Sequence, residues 1–371
     1  MFHKIKVSKV HQETPDTVSL SFDIPEDLAS KFEYKHGQYL TLRFVIKGQE
    51  VRRAYSFSSS PAVDSVPTVT VKRVEKGLVS NYINDNIKAG DTIEIMSPKG
   101  RFTTKLGVEQ QKNYYLFGGG SGITPLMSIL KTVLEEEPKS SIYLLYGNRD
   151  LESVIFKDEL DKLRARYSGQ IQVEYALDNP PKQKEGGLMG MFKKSKLDWE
   201  GLIGPIDGTK IQNFLEKHPT HKKDSEYFIC GPGGMMEATK AALQKQNIDD
   251  KKIHIEVFSS VQLPHEPKTD VAAATVNASG NQVAVHINGK KIDISVGEKE
   301  TIIEAMMRLK LDPPYSCLSG ACATCMGKVI SGKVEMDACF ALDEGEIAEG
   351  LVLTCQSRPV TPQVEITFDI D

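Results

Sequence analysis

Apolar and polar residues alternate through most of the first hundred positions. Ile5–Val10, Thr17–Phe22, Tyr39–Phe44, Arg53–Ser58 and Thr68–Val74 read as short strands, with turns at His36-Gly37 and Ser60-Pro61. Strands spaced this regularly predict a small antiparallel barrel or sandwich. One helix-like stretch, Leu78–Ile87, interrupts them. From about residue 112 the rhythm changes to strand, glycine turn, helix. Tyr114–Phe117 runs into Gly118–Gly122 and an apolar helix, Pro125–Leu134, with Pro125 expected as its first residue. Ile142–Tyr146, a helix from Asp150 to Tyr167, the strand Ile171–Ala176, and Tyr227–Cys230 followed by a helix ending near Gln246 continue the series. Such alternation predicts a parallel sheet with helices on both faces.

Two stretches break the pattern. Leu177–Gly201 is rich in Pro, Gly and Lys and is long for a connection. Val261–Asn281 carries Pro, Ala, Ser and Asn in the manner of an interdomain linker. Beyond it, Val283–Ile287, Asn288-Gly289 and Lys290–Ile294 predict a hairpin, because Asn-Gly suits a type I′ turn whose two central residues both need positive φ. A helix over Thr301–Leu309 follows. The expected organisation is therefore an antiparallel β-barrel at 1–107, an α/β domain at 112–260, a linker at 261–281 and a C-terminal β-grasp domain at 282–371.

Composition adds exclusions. No window of the 371 residues approaches the ~18 consecutive apolar positions of a membrane span. The start, Met1–Val7, alternates like a strand and lacks the apolar core of a secretory signal, so a cytoplasmic protein is expected. A net charge of −4 gives no general argument for nucleic-acid binding. The charge is uneven: residues 282–371 hold 14 acidic against 8 basic side chains. An acidic third of this kind can steer docking onto a basic partner.

Cysteine carries the strongest chemical signal. Of six cysteines, three stand in Cys317-Leu-Ser-Gly-Ala-Cys322-Ala-Thr-Cys325, and 29 residues separate Cys325 from Cys355. The spacing C-x4-C-x2-C…C is that of plant-type [2Fe–2S] ligands. A four-cysteine zinc site would place two CxxC-like pairs apart rather than three cysteines in one short loop. Ser319, Gly320 and Ala321 are small enough to let backbone N–H groups approach the sulfurs. Cys339 sits between the third and fourth ligands and reads as a half-buried small residue.

Five further motifs point to a flavin and a nicotinamide. Arg53-Ala54-Tyr55-Ser56 places a guanidinium, a ring and a hydroxyl within four residues. On a strand, Arg53 and Tyr55 share a face, the one suited to a pyrophosphate and the other to an isoalloxazine ring, with Ser56 at the reactive edge. Gly77-Leu-Val79-Ser80 opens a helix, a natural phosphate site. Gly118-Gly-Gly120-Ser-Gly-Ile-Thr124-Pro125 lacks the Lys of a P-loop and does not fit G-x-G-x-x-G, yet its glycines let backbone amides approach a pyrophosphate. Tyr146-Gly-Asn-Arg149 ends a strand where nucleotides bind in open sheets, and Arg149 is a candidate for the 2′-phosphate of NADPH. Cys230-Gly-Pro-Gly-Gly-Met235 ends another strand of that sheet.

Taken in order, and with Gly37-Gln-Tyr39, these motifs resemble the ferredoxin–NADP reductase superfamily with a C-terminal plant-type ferredoxin domain. The resemblance spans nearly the whole chain. It implies FAD bound by Arg53, Ala54, Tyr55 and Ser56, with Gly77, Val79 and Ser80 on its pyrophosphate. It further implies Thr124 near the flavin, Gly120 and Cys230 on the nicotinamide side, and Glu256 of His254–Phe258 as an acidic group near the flavin. Ser56, Cys230 and Glu256 are the implied catalytic residues. Gly332–Asp337, Ala341-Leu342 and Gly350–Pro359 look most like the ferredoxin-domain signature of the reductases that serve phenylacetyl-CoA epoxidases. The chain departs from the pattern at Pro205, where relatives often carry Arg, and in the expanded 177–201 stretch. The implied activity is electron transfer from NADPH through FAD and [2Fe–2S] to a di-iron oxygenase. The rival expectations are the reductase of another oxygenase, such as a 3-ketosteroid or alkane hydroxylase, and a non-enzymatic electron carrier or redox sensor.

Overall fold

The computed structural model describes residues 1–181, 198–222, 224–258 and 280–370. Most of the expected linker and the middle of the 177–201 stretch lie outside the described residues. By contact the chain divides into two compact units. One comprises Phe2–Leu40 with Tyr55–Glu256, and the other Thr41–Ala54 with Val257–Asp371, to which Met1 is also assigned.

The alternating N-terminal segments form β1 (Phe2–Thr14), β2 (Thr17–Asp23), β3 (Tyr39–Ile46), β4 (Gln49–Ser56) and β5 (Thr68–Lys72). Helix α1 (Leu78–Asn86) then precedes β6 (Thr92–Met96), a strand not expected from the pattern. Its buried Ile93 and Ile95 are separated by one residue, a signal too short to stand out. The sheet order is β4-β3-β6-β1-β2-β5, and β1 pairs antiparallel with both β2 and β6. Lys47 and Gly48 turn β3 into β4 with φ values of 52° and 79°, the handedness that suits a tight hairpin.

The second sheet is parallel throughout. Its strands are β7 (Lys112–Gly119), β8 (Ser141–Asn148), β9 (Ile171–Leu177), β10 (Leu202–Ile203), β11 (Asp224–Cys230) and β12 (Ile253–Glu256), in the order β10-β9-β8-β7-β11-β12. Helices α2 (Ile123–Glu136), α3 (Lys157–Arg166), α4 (Gly208–Lys217) and α5 (Gly233–Lys245) connect them. Alternate residues of β7 feed two cores: Tyr114 and Leu116 pack with α2, while Tyr115 and Phe117 pack with Ile211 and Phe214 of α4. Both faces are therefore apolar, as a covered parallel sheet requires.

Two helix boundaries differ from expectation. Helix α2 starts at Ile123, so Pro125 stands at its third position. No cost follows, because the first four N–H groups of a helix have no intrahelical acceptor. The expected helix over 150–167 is broken. Asp150 accepts the Ser153 N–H at 2.9 Å and closes a short 3-10 turn, Leu151–Ser153. Phe156 then takes a left-handed φ of 60° before α3 begins. The Asp150 cap starts that turn, and the left-handed backbone at Phe156 separates it from α3.

The C-terminal domain contains the hairpin β13 (Asn281–Ile287) and β14 (Lys290–Val296), with Ile287 opposite Lys290. Asn288 and Gly289 both have positive φ, 52° and 70°, so the expected type I′ turn is present. Helix α6 (Ile302–Arg308) starts with a capping box between Thr301 and Glu304. Then come β15 (Met326–Ser331), β16 (Val334–Met336), α7 (Glu344–Ala348), β17 (Leu351–Leu353), β18 (Ser357–Pro359) and β19 (Gln363–Thr367). The main sheet runs β14-β13-β19-β15-β17 and buries Val283, Val285 and Ile366 against Ile302 and Met306 of α6. Among the described residues, no helix is long and apolar enough to cross a membrane.

Candidate cofactor sites

The glycine loops at the ends of β7 and β11 approach one another backbone to backbone. Cys230 is in register with Gly118. A β-carbon on Gly122 would stand 2.0 Å from the Cys230 carbonyl oxygen. Only glycine fits there. Thr124, also buried, spends its hydroxyl on the Ser121 carbonyl at 3.0 Å and so braces the loop as α2 begins. Gly120, by contrast, has a φ of 52° and nothing within 4 Å of the place a β-carbon would occupy. Its surface is open, as a loop meeting a nicotinamide or pyrophosphate requires.

The three expected catalytic residues are drawn into one neighbourhood. β11 and β12 pair so that Cys230 lies opposite Glu256. Ser56, buried at the end of β4, donates its hydroxyl to Glu256 Oε2 at 2.9 Å. Glu256 retains some surface, yet desolvation pushes its carboxyl up to about 8, against the lowering effect of the Ser56 hydroxyl. Near neutral pH it is largely a neutral acid. Burial, with the Glu256 charge as a lesser cause, pushes the Cys230 thiol well above its ordinary range. Cys230 is thus a small neutral side chain at the sheet edge rather than a thiolate nucleophile.

On β4, Arg53 and Tyr55 stand two apart on one face, both half-buried. Arg53 Nη1 donates to the Arg52 carbonyl at 2.7 Å. Helix α1 has Gly77 as its N-cap, and a β-carbon there would meet Ser80 Oγ at 2.6 Å. Ser80 accepts the Val74 N–H at 3.1 Å, which leaves its own hydroxyl proton for an anion. Val79 is buried, so its contribution to an anion is its backbone N–H. Arg149 lies apart from the catalytic group, exposed beyond the C-terminal end of β8. It pairs with Asp16 at 3.6 Å and Asp150 at 3.3 Å. Those carboxylates orient the guanidinium but also set a negative charge beside it, which the residue pattern does not foretell.

The cysteine loop is shaped by Leu318 and Gly320, both with positive φ, 55° and 74°. A β-carbon on Gly320 would meet the Ala338 carbonyl oxygen at 2.6 Å. The Gly320 carbonyl accepts N–H groups from Phe340 and Ala341 at 3.0 and 3.1 Å. Gln356 Nε2 donates to the Leu318 carbonyl at 3.0 Å, tying the first-ligand loop to the segment of the fourth. Cys317 interacts with both Cys322 and Cys355, and Cys355 also with Cys325. This crowding holds the Cys317 thiol well below its ordinary range while pushing Cys322 and Cys355 up. These pairwise contacts link the four sulfurs, and a [2Fe–2S] group would take them all as thiolates. Two donors also fit it. The Ser319 N–H points at Cys317 Sγ at 3.4 Å, and the buried Ser316 hydroxyl lacks a partner among the described residues. Cys339 is half-buried beside this set, with its thiol pushed up by burial. Gln356 and Ala341 fall within the Gly350–Pro359 and Ala341-Leu342 segments already singled out, whereas the Ala338–Phe340 backbone beside Gly320 is marked by no motif.

A parallel nucleotide sheet, a basic and aromatic strand, and a four-thiol loop together are what pyridine-nucleotide-linked flavin and iron–sulfur electron transfer requires. Known proteins agree. Residues 4–104 match the oxidoreductase FAD-binding domain, 116–241 the oxidoreductase NAD-binding domain and 285–360 the 2Fe-2S iron-sulfur cluster binding domain. The chain is 36% identical to a component of the 1,2-phenylacetyl-CoA epoxidase of Escherichia coli K12, over 99% of this chain and 98% of that protein. It is also 36% identical to the ferredoxin reductase component of 3-ketosteroid-9-alpha-monooxygenase of Rhodococcus rhodochrous, over 98% and 96% of the two chains. The fold matches phthalate dioxygenase reductase, with a TM-score of 0.57 and 21% identity over 99% of this chain and 98% of that one. The chain belongs to the ferredoxin-reductase family of flavin and iron–sulfur oxidoreductases, the reductase components of oxygenases. An electron carrier without enzymatic activity is thereby set aside.

Two outcomes follow from this geometry. Cys322→Ser should lose the cluster and Cys339→Ser should keep it, read from iron content and visible absorption; equal loss would mean that Cys339 is a ligand. The second outcome concerns pH. The Glu256 carboxyl is raised from its ordinary 4.5 to about 8 in the folded chain, so the folded state binds more protons between those values. Its stabilising contribution is full below about pH 4.5 and is lost as pH rises through about 8. Urea midpoints should fall over that window in the parent and fall less in Glu256→Gln, whereas parallel profiles would show that Glu256 titrates normally.

Proposed function

We propose that the protein oxidises NADPH and supplies the reducing equivalents to a di-iron oxygenase, with phenylacetyl-CoA 1,2-epoxidase as the partner and the cytoplasm as the location. The observation carrying this reading is the end-to-end 36% identity with the E. coli protein, together with the Gly332–Asp337 and Gly350–Pro359 segments of the ferredoxin domain. The reading divides the chain into the FAD domain 1–107, the nucleotide domain 112–260, the linker 261–281 and the ferredoxin domain 282–371.

Bound FAD would accept a hydride and supply two electrons, and a bound [2Fe–2S] cluster would carry them singly. The chain's own residues bind, orient and tune. Arg53 holds a phosphate with charge-assisted hydrogen bonds, Tyr55 lays its ring against the isoalloxazine, and the N–H groups after Gly77 complete the anion site. Ser56 and neutral Glu256 hold a proton at the flavin edge: the Ser56 hydroxyl bonds to Glu256 Oε2, and the desolvated carboxyl stays protonated near neutrality. Gly120 and Cys230 leave room for the nicotinamide. Cys317, Cys322, Cys325 and Cys355 hold the iron.

The relative acting in 3-ketosteroid hydroxylation is equally identical, which makes it the second reading. With NADPH, the purified protein should support product formation by the oxygenase component of a phenylacetyl-CoA epoxidase and not by that of a 3-ketosteroid monooxygenase. The reverse pattern would move the protein to the steroid group.

Coenzyme choice rests on Arg149. Losing one charge-assisted hydrogen bond costs ~1.5–3 kcal/mol, or roughly 10- to 150-fold in affinity. Arg149→Ala should raise KM for NADPH by about that factor in ferricyanide reduction and leave NADH almost unchanged. Equal weakening of both would assign Arg149 to the shared pyrophosphate.

A further inference from the structure

Arg52 precedes the candidate phosphate-binding Arg53, and strand alternation sends the two side chains to opposite faces of β4. Arg52 is only 4% exposed. Its Nε donates to Glu50 Oε1 at 2.9 Å, Nη1 to the Pro313 carbonyl at 3.2 Å and Nη2 to Asp312 Oδ1 at 2.6 Å. Its Cζ also lies 4.1 Å from the centroid of the Tyr315 ring. Both the donors and the planar face of the guanidinium are used. A lysine could not reproduce the arrangement, since an ammonium has neither the fork nor the stacking plane.

Three of the four groups that hold Arg52 fall in Asp312-Pro313-Pro314-Tyr315, directly before Ser316 and the first cysteine, Cys317. Two consecutive prolines stiffen that arm and remove two of its N–H groups. An arm that cannot donate into a ladder must be held by its acceptors and side chains. Arg52 takes one carbonyl and two side chains. Its carboxylate partners stay exposed, Glu50 at 41% and Asp312 at 63%, and exposed ion pairs add little to stability. What the contacts add is a defined position for the arm.

We propose that Arg52 is a positioning residue that locks the arm leading to Cys317 onto the strand that carries Arg53. The lock fixes the cluster loop for one-electron transfer from the reduced flavin. This inference rests on the cofactor assignment above. In the step served, one electron leaves the two-electron-reduced flavin and converts one ferric ion of the cluster to ferrous. The protons stay with the flavin and its surroundings, and no bond to the cluster forms or breaks. The rate falls steeply with distance, so an arm held in one place matters more to this step than to hydride transfer.

The test uses the full-length protein loaded with FAD and cluster. Arg52→Ala, Asp312→Asn and Tyr315→Leu are mixed with NADPH in a stopped-flow instrument, and flavin bleaching is separated from cluster reduction. Flavin bleaching should stay within about twofold of the parent. Cluster reduction should slow by about tenfold or more in Arg52→Ala, since small misplacements are costly to oriented transfer. Tyr315→Leu, which leaves both ion pairs in place, should fall between. Hydrogen exchange over residues 311–316 should rise in step, a readout independent of turnover. Arg52→Lys should restore exchange protection and rate only in part. Parent-like cluster reduction and exchange in folded, fully loaded variants would overturn the proposal. So would loss of iron from Arg52→Ala and Asp312→Asn alike, which would make the contact a mere support of the loop. If the loaded parent itself fails to reduce its cluster with NADPH, the underlying cofactor reading fails instead.

Discussion

The space between Gly122 and the Cys230 carbonyl admits no side chain, because a β-carbon there would be 2.0 Å from that oxygen. The arrangement around it follows from this close approach. It sets the start of α2 against the end of β11, where Cys230 is the last residue of the strand. Parallel pairing of β11 with β12 then puts Glu256 opposite Cys230, and Glu256 receives the Ser56 hydroxyl. One missing methyl group thus aligns residues whose numbers span two hundred positions. Burial in the same place desolvates Glu256 and Cys230 and pushes the pKa of both up.

The cluster loop obeys a comparable rule with different means. Leu318 and Gly320 reverse the backbone, and Gly320 lies against Ala338 with no room for a side chain. Gln356 and the Phe340 and Ala341 N–H groups then pin the loop to the segments on either side of it. The Cys317 side chain meets those of Cys322 and Cys355, and Cys355 meets Cys325. These contacts join residues from the loop and from the segment that follows β17.

Strand β4 shows how one short element presents two different faces. Its period of two puts Arg53 and Tyr55 on one side while Arg52 turns to the arm before Cys317. The arginines differ in what surrounds them. Arg52 is enclosed by Glu50, Asp312, Pro313 and Tyr315, whereas Arg53 remains half-buried on the other face. Adjacent residues of identical chemistry therefore acquire distinct tasks from their surroundings alone.

The fold is legible in the sequence wherever period and turn chemistry agree. The Asn288-Gly289 hairpin, the capped helix after Thr301 and strands β7, β8, β9 and β11 of the parallel sheet lie close to their expected positions, because local geometry and burial demand the same residues there, while the short β10 and β12 are not expected from the pattern. β6 is not legible, since two buried isoleucines make too short a pattern. The helix after Asp150 reads as continuous, since no residue type in the pattern marks the left-handed backbone at Phe156. By itself the sequence determined the cofactor chemistry: spacing within a chain segment decides whether cysteines can share a cluster or glycines can approach a phosphate. Only the tertiary structure decided that Ser56 meets Glu256, that Arg149 stands between two carboxylates and that Arg52 grips the arm before Cys317. These contacts join residues far apart in the chain, and no local period encodes a partner that folding brings from elsewhere.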